Sequence, residues 1–480
     1  MKKINVTTEC RKMLADLYTP VGIYLRLRDQ FRDTILLESA DSHVYESSHS
    51  IIGINAIAGF EVKNGKTMEC KFPLQDAFEK PVSKETSMTD ELWSFMQQFE
   101  VNPDIPKAAK MAQSMFGYIT HDAVQFFDTI QFHHSGSPDN PSIPLIRYRL
   151  YQYVIVINHF KNELYFCENK IPGLESESGL IESLIKSRDV PSFPFQLKQE
   201  EVADITDDEY LEMVKKGIAS CKRGDVFQIV LSRNFHRRFS GDEFNVYRAL
   251  RSINPSPYLF YFDYGDYRLF GSSPESQVIL TGNVAVIHPI AGTFRRTGVD
   301  EKDRELAEAL KKDKKENAEH VMLVDLARND LGITCDDVEV SKFCQVEFFS
   351  HVIHLVSEVK ARLRKGINPV KLIATTFPAG TLSGAPKYKA LQLIDEYEHN
   401  SRGFYGGCLG YIGFDGSSNH AITIRTFLSK ENELHYRAGA GITVLSDPHK
   451  ELQEVRNKLA ALAAALNQAQ TTTHENITVG

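Results

Sequence analysis

Apolar runs of strand length, grouped apart from the helical stretches, constrain this chain more than any other feature. They lie at 21–27, 51–60, 150–158 and 164–167 in the first half. A second group follows at 226–239, 258–264, 267–271, 277–289, 411–414, 421–428 and 434–439. Helical patterns cover about 207–223, 303–330, 386–398 and 448–468. The first opens on Thr206-Asp-Asp-Glu209, a capping box, and the third on Pro386, a residue tolerated at a helix start. Strands that do not alternate one for one with helices predict an α+β class, not βαβ units. A mixed Gly, Ser, Pro and charged stretch at 171–198 predicts the main boundary, between regions 1–190 and 200–468, and residues 469–480 read as a disordered tail.

The chain has 480 residues, 42% of them hydrophobic and 25% charged, ordinary values for a soluble globular protein. A net charge of −8 with scattered basic residues argues against nucleic-acid binding. No apolar run reaches membrane-span length, and the start MKKINVTTECRKML lacks the apolar core of a signal peptide. Seven cysteines without metal-ligand spacing predict reduced thiols and a cytoplasmic location, away from membranes.

Two carboxylate pairs stand out, Glu316-x-x-Glu319 and Glu451-x-x-Glu454. In a helix this spacing puts both members on one face, where like charges cost roughly 0.2–0.5 kcal/mol that a bound cation would reverse. Oxygen ligands suit Mg2+, but in charge-rich segments such pairs more often form a solvated face. Three glycine-rich segments could approach an anion closely: TFPAGTLSGAPK at 376–387, RGFYGG at 402–407 and RAGAGI at 437–442. Thr381 and Ser383 add hydroxyls to the first, and Arg402 and Arg437 add cations to the others. None has Walker spacing. His351 and His354 lack further zinc ligands, so a half-buried pair or a single proton shuttle is expected. Glu275 follows a strand end, where burial would make it a general acid.

Together these segments resemble the large, chorismate-using subunits of the anthranilate synthases, within the chorismate-binding enzymes. The matching motifs are PIAGT at 289–293, ENAEHVMLVDLARNDLG at 316–332, HVIHLVSEV at 351–359, TFPAGTLSGAPK, RGFYGG, GYIGFDG at 410–416, AITIRT at 421–426 and RAGAGI. The resemblance implies a large antiparallel β-sandwich of two packed sheets flanked by helices. Its site would use Mg2+, with Glu319 and Glu454 as direct ligands and Glu316 and Glu451 holding waters, to grip the ring carboxylate of chorismate. Lys458 would support that carboxylate. Tyr405, Arg425 and the backbone at Gly441 would hold the enolpyruvyl carboxylate, while Thr381, Ala291 and Thr293 line the pocket. Glu275, or else His354, would protonate the departing hydroxyl, and His354 would serve the later elimination of pyruvate.

Two positions bear on the branch within this family. Enzymes that add water resemble one another in carrying a lysine base where this chain has Gln228. Aminodeoxychorismate synthases commonly carry a lysine in PIKGT, where this chain has Ala291. Addition of ammonia followed by loss of pyruvate is the reaction that remains. Aminodeoxychorismate synthase and a catalytically silent tryptophan sensor are the competing readings. LLES at 36–39 and NPSPYLF at 254–260 resemble the halves of the family's tryptophan site, with Glu38, Ser39, Pro257, Tyr258, Leu259 and Tyr411 as its walls. The regions 1–190 and 200–468 would then be regulatory and catalytic. Departures from the pattern are the missing arginine before Ser50, Phe294 after PIAGT, and Ile333-Thr334 after RNDLG. No stretch is left over to house a glutaminase domain, so ammonia is expected from solution or from a separate glutamine amidotransferase subunit, in a heterotetramer.

Overall fold

The computed structural model describes residues 3–39, 48–133, 141–348 and 352–471. Its backbone is one long antiparallel ladder wrapped by helices, an α+β fold as the sequence predicts. In hydrogen-bonded order one half runs Gln228–Gly241, Glu433–Thr443, Thr426–Lys430, Tyr267–Ser273, Tyr258–Asp263, Thr34–Glu38, His49–Asn64. It continues through Ile146–Asn158, Ser114–Ile119, Cys408–Gly413, Ser418–Ile422, Ser276–Thr281, Val284–Ile287 to Val352–Leu363 and Cys335–Phe348. Strands on either side of the 171–198 stretch therefore pair directly. That stretch itself contains the helix Ser178–Lys186.

The strands read as continuous apolar runs because both of their faces are buried. In Tyr258–Asp263, Leu259 and Tyr261 join a core that reaches the helices, while Phe260 and Phe262 join a second, inner core. Leu36 and Ile35 divide in the same way on the neighbouring strand. Full burial of each such side chain contributes about 1.5–3 kcal/mol.

Local chemistry explains where the helices begin and end. Asp207–Arg223 has its capping box formed, and Gly224 closes it with φ +81°. The run at 21–27, expected as a strand, is instead the helix Pro20–Leu27. Thr19 caps it by accepting from Gly22 N, Pro20 opens its first turn, and Ile23, Tyr24 and Leu27 form its buried face. The stretch expected as one helix over 303–330 divides into Asp300–Lys312 and Lys314–Gly332. Asp313 breaks the first with an extended backbone and caps the second, its Oδ1 accepting from Glu316 N at 3.0 Å.

Two expected strands also break. The 277–289 run is a hairpin turning at Gly282, φ +62°, between Thr281 and Val284. The 421–428 run parts between Ile422 and Thr426, around Arg425 at φ +49°. The final helix, Pro448–Thr471, runs three residues further than expected, and the rest of the predicted tail lies outside the described residues. Among the described residues no helix is long and apolar enough to cross a membrane.

Candidate active site

Both glutamate pairs sit at helix N-termini. Glu316 lies in the first turn of Lys314–Gly332 and Glu451 in the first turn of Pro448–Thr471. Asp447 caps the latter, its Oδ1 accepting from Lys450 N at 3.0 Å. A helix N-terminus favours negative charge, which offsets part of the repulsion within each pair. Val324, Ala327 and Leu331 root the first helix, and Val455, Leu459, Leu462 and Leu466 root the second. The pairs are therefore fixed relative to the sheet, and Glu451 is itself buried.

Gln228 begins the strand that pairs with Glu433–Thr443, so its side chain crosses Gly441. Its Nε2 donates to Glu319 Oε1 at 2.9 Å. A β-carbon on Gly441 would come within 2.4 Å of that nitrogen and 3.8 Å of Glu319 Oε1, so the bare glycine is what admits the contact. Lys458 bonds Glu454 at 2.8 Å and the Gly439 carbonyl at 2.9 Å. Glu454 holds its ammonium above the ordinary lysine range against the opposing effect of desolvation, with Tyr405 and Glu319 adding to the hold. Glu319, Glu454, Tyr405 and Gln228 thus share one cleft around Lys458.

Glu275 lies between Tyr267–Ser273 and Ser276–Thr281, its carboxyl in the field of Lys458 and Arg425. Thr381, in the turn Gly380–Leu382, donates its hydroxyl to Glu275 Oε1 at 2.9 Å. Burial pushes this carboxyl up to about 7, opposed by the Thr381 bond and the charges of Lys458 and Arg425. Arg425 takes a left-handed backbone, φ +49°, uncommon outside glycine. Desolvation lowers its pKa, with Glu275 opposing. Ser272 N donates to the Arg425 carbonyl at 3.2 Å, which helps hold that turn.

His354 stands in the strand Val352–Leu363, paired with Thr293 of Ile290–Arg295. Its Nδ1 lies 2.9 Å from the Gly292 carbonyl, which can only accept, so the neutral ring carries its lone pair on Nε2. Burial lowers its pKa, the Gly292 bond opposing and Arg425 reinforcing the shift. Gly292 has φ +66°, and a β-carbon there would lie 2.8 Å from Leu310 and 3.3 Å from Glu316 Oε2. One glycine therefore brings His354 and the first carboxylate pair together. Ala291 is buried opposite Leu355. The Thr293 side chain and His351 lie outside the described residues.

Three expectations need correction. Ser383 offers no hydroxyl to the cleft, because it is buried and donates to Ala379 O at 3.0 Å. Arg402 and Arg437 are not ligand-facing cations either. Both are spent on Glu398, whose oxygens accept from Arg402 Nη2 at 2.6 Å, Arg402 Nε at 2.9 Å and Arg437 Nη2 at 2.6 Å. Ser232 adds its backbone N and hydroxyl to Glu398 Oε1, at 2.8 and 2.9 Å. Arg402 also donates to the carbonyls of Leu382 at 2.5 Å and Val230 at 2.6 Å, and lies 5.9 Å from the Tyr405 ring centre. This buried network joins the Thr381 turn, the Gln228 strand and Tyr405. The Glu398-x-x-x-Arg402 spacing was its trace in the sequence.

The donor set suits a magnesium ion. Among the described residues no three His, Cys, Asp or Glu gather into a site enclosing a metal. Mg2+ needs no such cage, since one or two carboxylates, waters and a substrate oxygen satisfy it.

Around the LLES and NPSPYLF segments, Glu38 is buried and its Oε1 accepts from Tyr247 at 2.7 Å and Arg251 at 2.9 Å. Leu259 is its register partner. Tyr258 and Tyr411 both pack against the inner core. Pro257 is half-buried, and Ser39 accepts from the Ser48 hydroxyl through its carbonyl at 3.2 Å. Asn254 links this region to the cleft, its side-chain oxygen 3.5 Å from Arg425 Nη1.

The chain is 36% identical to anthranilate synthase component 1 of Thermus thermophilus over 96% of its own length and 98% of the relative's. Its identity to the Aquifex aeolicus protein of the same name is 34%, over 98% and 97%. The crystal structure of anthranilate synthase component I from Streptococcus pneumoniae superposes with a TM-score of 0.73 at 29% identity, covering 94% of this chain and 99% of that one. The menaquinone-specific isochorismate synthase of Escherichia coli shares the fold, with a TM-score of 0.72 at 20% identity, over 97% and 96%. The chorismate binding enzyme family matches residues 34–464, and the chain belongs to that family.

Proposed function

We propose that this enzyme is the synthase subunit of an anthranilate synthase, converting chorismate and ammonia to anthranilate and pyruvate. The observation that carries the reading is the pairing of uncharged Gln228 with Glu319, together with a half-buried Glu275 whose carboxyl is pushed up to about 7. A neutral amide cannot deprotonate water, whereas ammonia needs no base to act as a nucleophile. Ala291 likewise supplies no amine to attack the ring.

Glu319 and Glu454 would hold Mg2+ directly, with Glu316 and Glu451 on its waters. The ion supplies charge neutralisation for the ring carboxylate. Lys458, beside Glu454, adds a second positive charge to that end of the cleft. Tyr405, Arg425 and the Gly441 backbone hold the enolpyruvyl carboxylate, the guanidinium fork matching its two oxygens. Ammonia then attacks C2 while the C4 hydroxyl departs with a proton from Glu275, which Thr381 orients. His354 Nε2 takes the C2 proton of the aminated ring as pyruvate leaves, and Gly292 keeps the imidazole in the required tautomer.

Ammonia is supplied from glutamine by a separate amidotransferase subunit, in a heterotetramer. Tryptophan inhibits through Glu38, whose two observed bonds both fall on Oε1, so its ammonium would be taken by the second oxygen. Ser39, Pro257, Tyr258, Leu259 and Tyr411 frame the indole.

Chorismate consumption with ammonium and Mg2+, with and without tryptophan, tests this reading through anthranilate fluorescence. Anthranilate formation that tryptophan suppresses is expected. A para-aminated product would establish the aminodeoxychorismate branch instead, and no turnover at saturation would favour a silent sensor.

A further inference from the structure

Strand Ile4–Leu14 pairs antiparallel with Glu163–Lys170, and the register sets Cys10 directly opposite Cys167 without a bulge. Just past the strand end, in the same register, Ala15 N donates to Asn162 O at 2.8 Å. Hydrogen-bonded and non-hydrogen-bonded pairs alternate along such a ladder, so odd positions of the first strand are the bonded ones. Cys10 therefore falls in a non-hydrogen-bonded pair, where α-carbons approach to about 4.5 Å and side chains lie closest. Its neighbours on the same face behave accordingly. Thr8 Oγ1 donates to the facing Asn169 Oδ1 at 2.7 Å, and the Lys12 ammonium stands 5.9 Å from the facing Tyr165 ring centre.

That separation lies within the range of about 4.4–6.8 Å that a disulfide spans. Cys167 is buried and Cys10 only partly so. Among the described pairings, this stretch of the first strand is covered on one side only, since Phe99–Val101 pairs just with Ile4–Val6. A hydrogen bond with Cys167 holds the Cys10 thiol below its ordinary range, against the opposing effect of burial. Cys70, Cys335 and Cys408 face Phe60, Leu363 and Ile422 across their ladders, so no cysteine opposes them there.

We propose that Cys10 and Cys167 form a reversible oxidation site that closes to a cross-strand disulfide under peroxide. Cys10 is oxidised first, to a sulfenic acid, as one peroxide O–O bond breaks and one water leaves. The Cys167 sulfur then attacks the Cys10 sulfur, the S–S bond forms, the S–O bond breaks, and a second water carries off the oxygen and the Cys167 proton. Two thiols lose two electrons and one peroxide becomes two waters. A dithiol reductant reverses the change by exchange.

The test uses the full chain, treated with hydrogen peroxide, alkylated under denaturing conditions and digested without reductant. Mass spectrometry is expected to show the peptides of Cys10 and Cys167 joined, two hydrogens lighter than their sum, and separated again by dithiothreitol. Cys10→Ser should leave Cys167 alkylated after the same treatment. Wild-type protein in which both cysteines remain alkylatable, or in which Cys10 proceeds to sulfinic acid without a cross-link, would overturn the proposal.

Discussion

Gln228 Nε2 donates to Glu319 Oε1 at 2.9 Å, so the residue proposed to bear on the choice of nucleophile is bonded to a carboxylate proposed to hold the metal. Exchanging the amide for an ammonium should disturb both functions. Gln228→Lys places a cation against Glu319 and is expected to raise the Mg2+ concentration for half-maximal turnover by about tenfold, a cost near 1.4 kcal/mol. Anthranilate formation should fall as well. A Mg2+ titration that matches wild type would separate Gln228 from the metal carboxylates.

Glu275 carries two distinguishable predictions. As proton donor, its replacement by glutamine should lower kcat by about 10²–10⁴ with little change in KM for chorismate. Its protonated form is needed, so at constant free ammonia wild-type kcat/KM should decline as pH rises through about 7.

Stability should respond to the same group in a definite direction. The folded carboxyl titrates at about 7 against an ordinary 4.5, so the folded state holds its proton more tightly. That contribution is complete below 4.5 and is lost as pH rises through about 7. Glu275→Gln should therefore have the higher melting temperature at about pH 8, with the gap closing towards pH 5. Equal pH dependence in both proteins would show that Glu275 is not buried as an acid.

With His354 acting after amination, as proposed, His354→Ala should consume chorismate while releasing the aminated, non-aromatic intermediate. Chromatography of the quenched reaction would detect it. Unchanged anthranilate formation would remove His354 from the elimination step. Because burial lowers this imidazole's pKa below 6.5, wild type should retain the elimination step at pH values where an ordinary histidine is half protonated.

Glu398 holds two buried arginines, so Glu398→Ala should cost about 3–5 kcal/mol of stability by leaving both without their charge partner. Denaturant unfolding measures it. A loss below about 1 kcal/mol would mean that the pair is relaxed or hydrated in solution.

The fold class was legible because whole strands are apolar on both faces and stand apart from the helices. Element ends were legible where a cap announced them, as at Thr206. Thr19-Pro20 carried the same kind of signal, but the apolar run after it also fits a buried strand, and periodicity alone does not separate the two. The family resemblance named the cleft residues Glu275, Thr381, Arg425 and Lys458, yet it could not show that they share electrostatic fields, because they come from four separate elements. Arg402 and Arg437 were misread for a related reason. A sequence displays a charge, but only the fold shows that Glu398 already neutralises it.

The central claim concerns which atom of chorismate receives nitrogen. Incubating the protein with chorismate, Mg2+ and isotopically labelled ammonium, then locating the label in the product by NMR, tests it most directly. The account predicts labelled nitrogen ortho to the ring carboxylate, with one pyruvate released per ring. Nitrogen at the para position, or oxygen at C2 with no label incorporated, would contradict it.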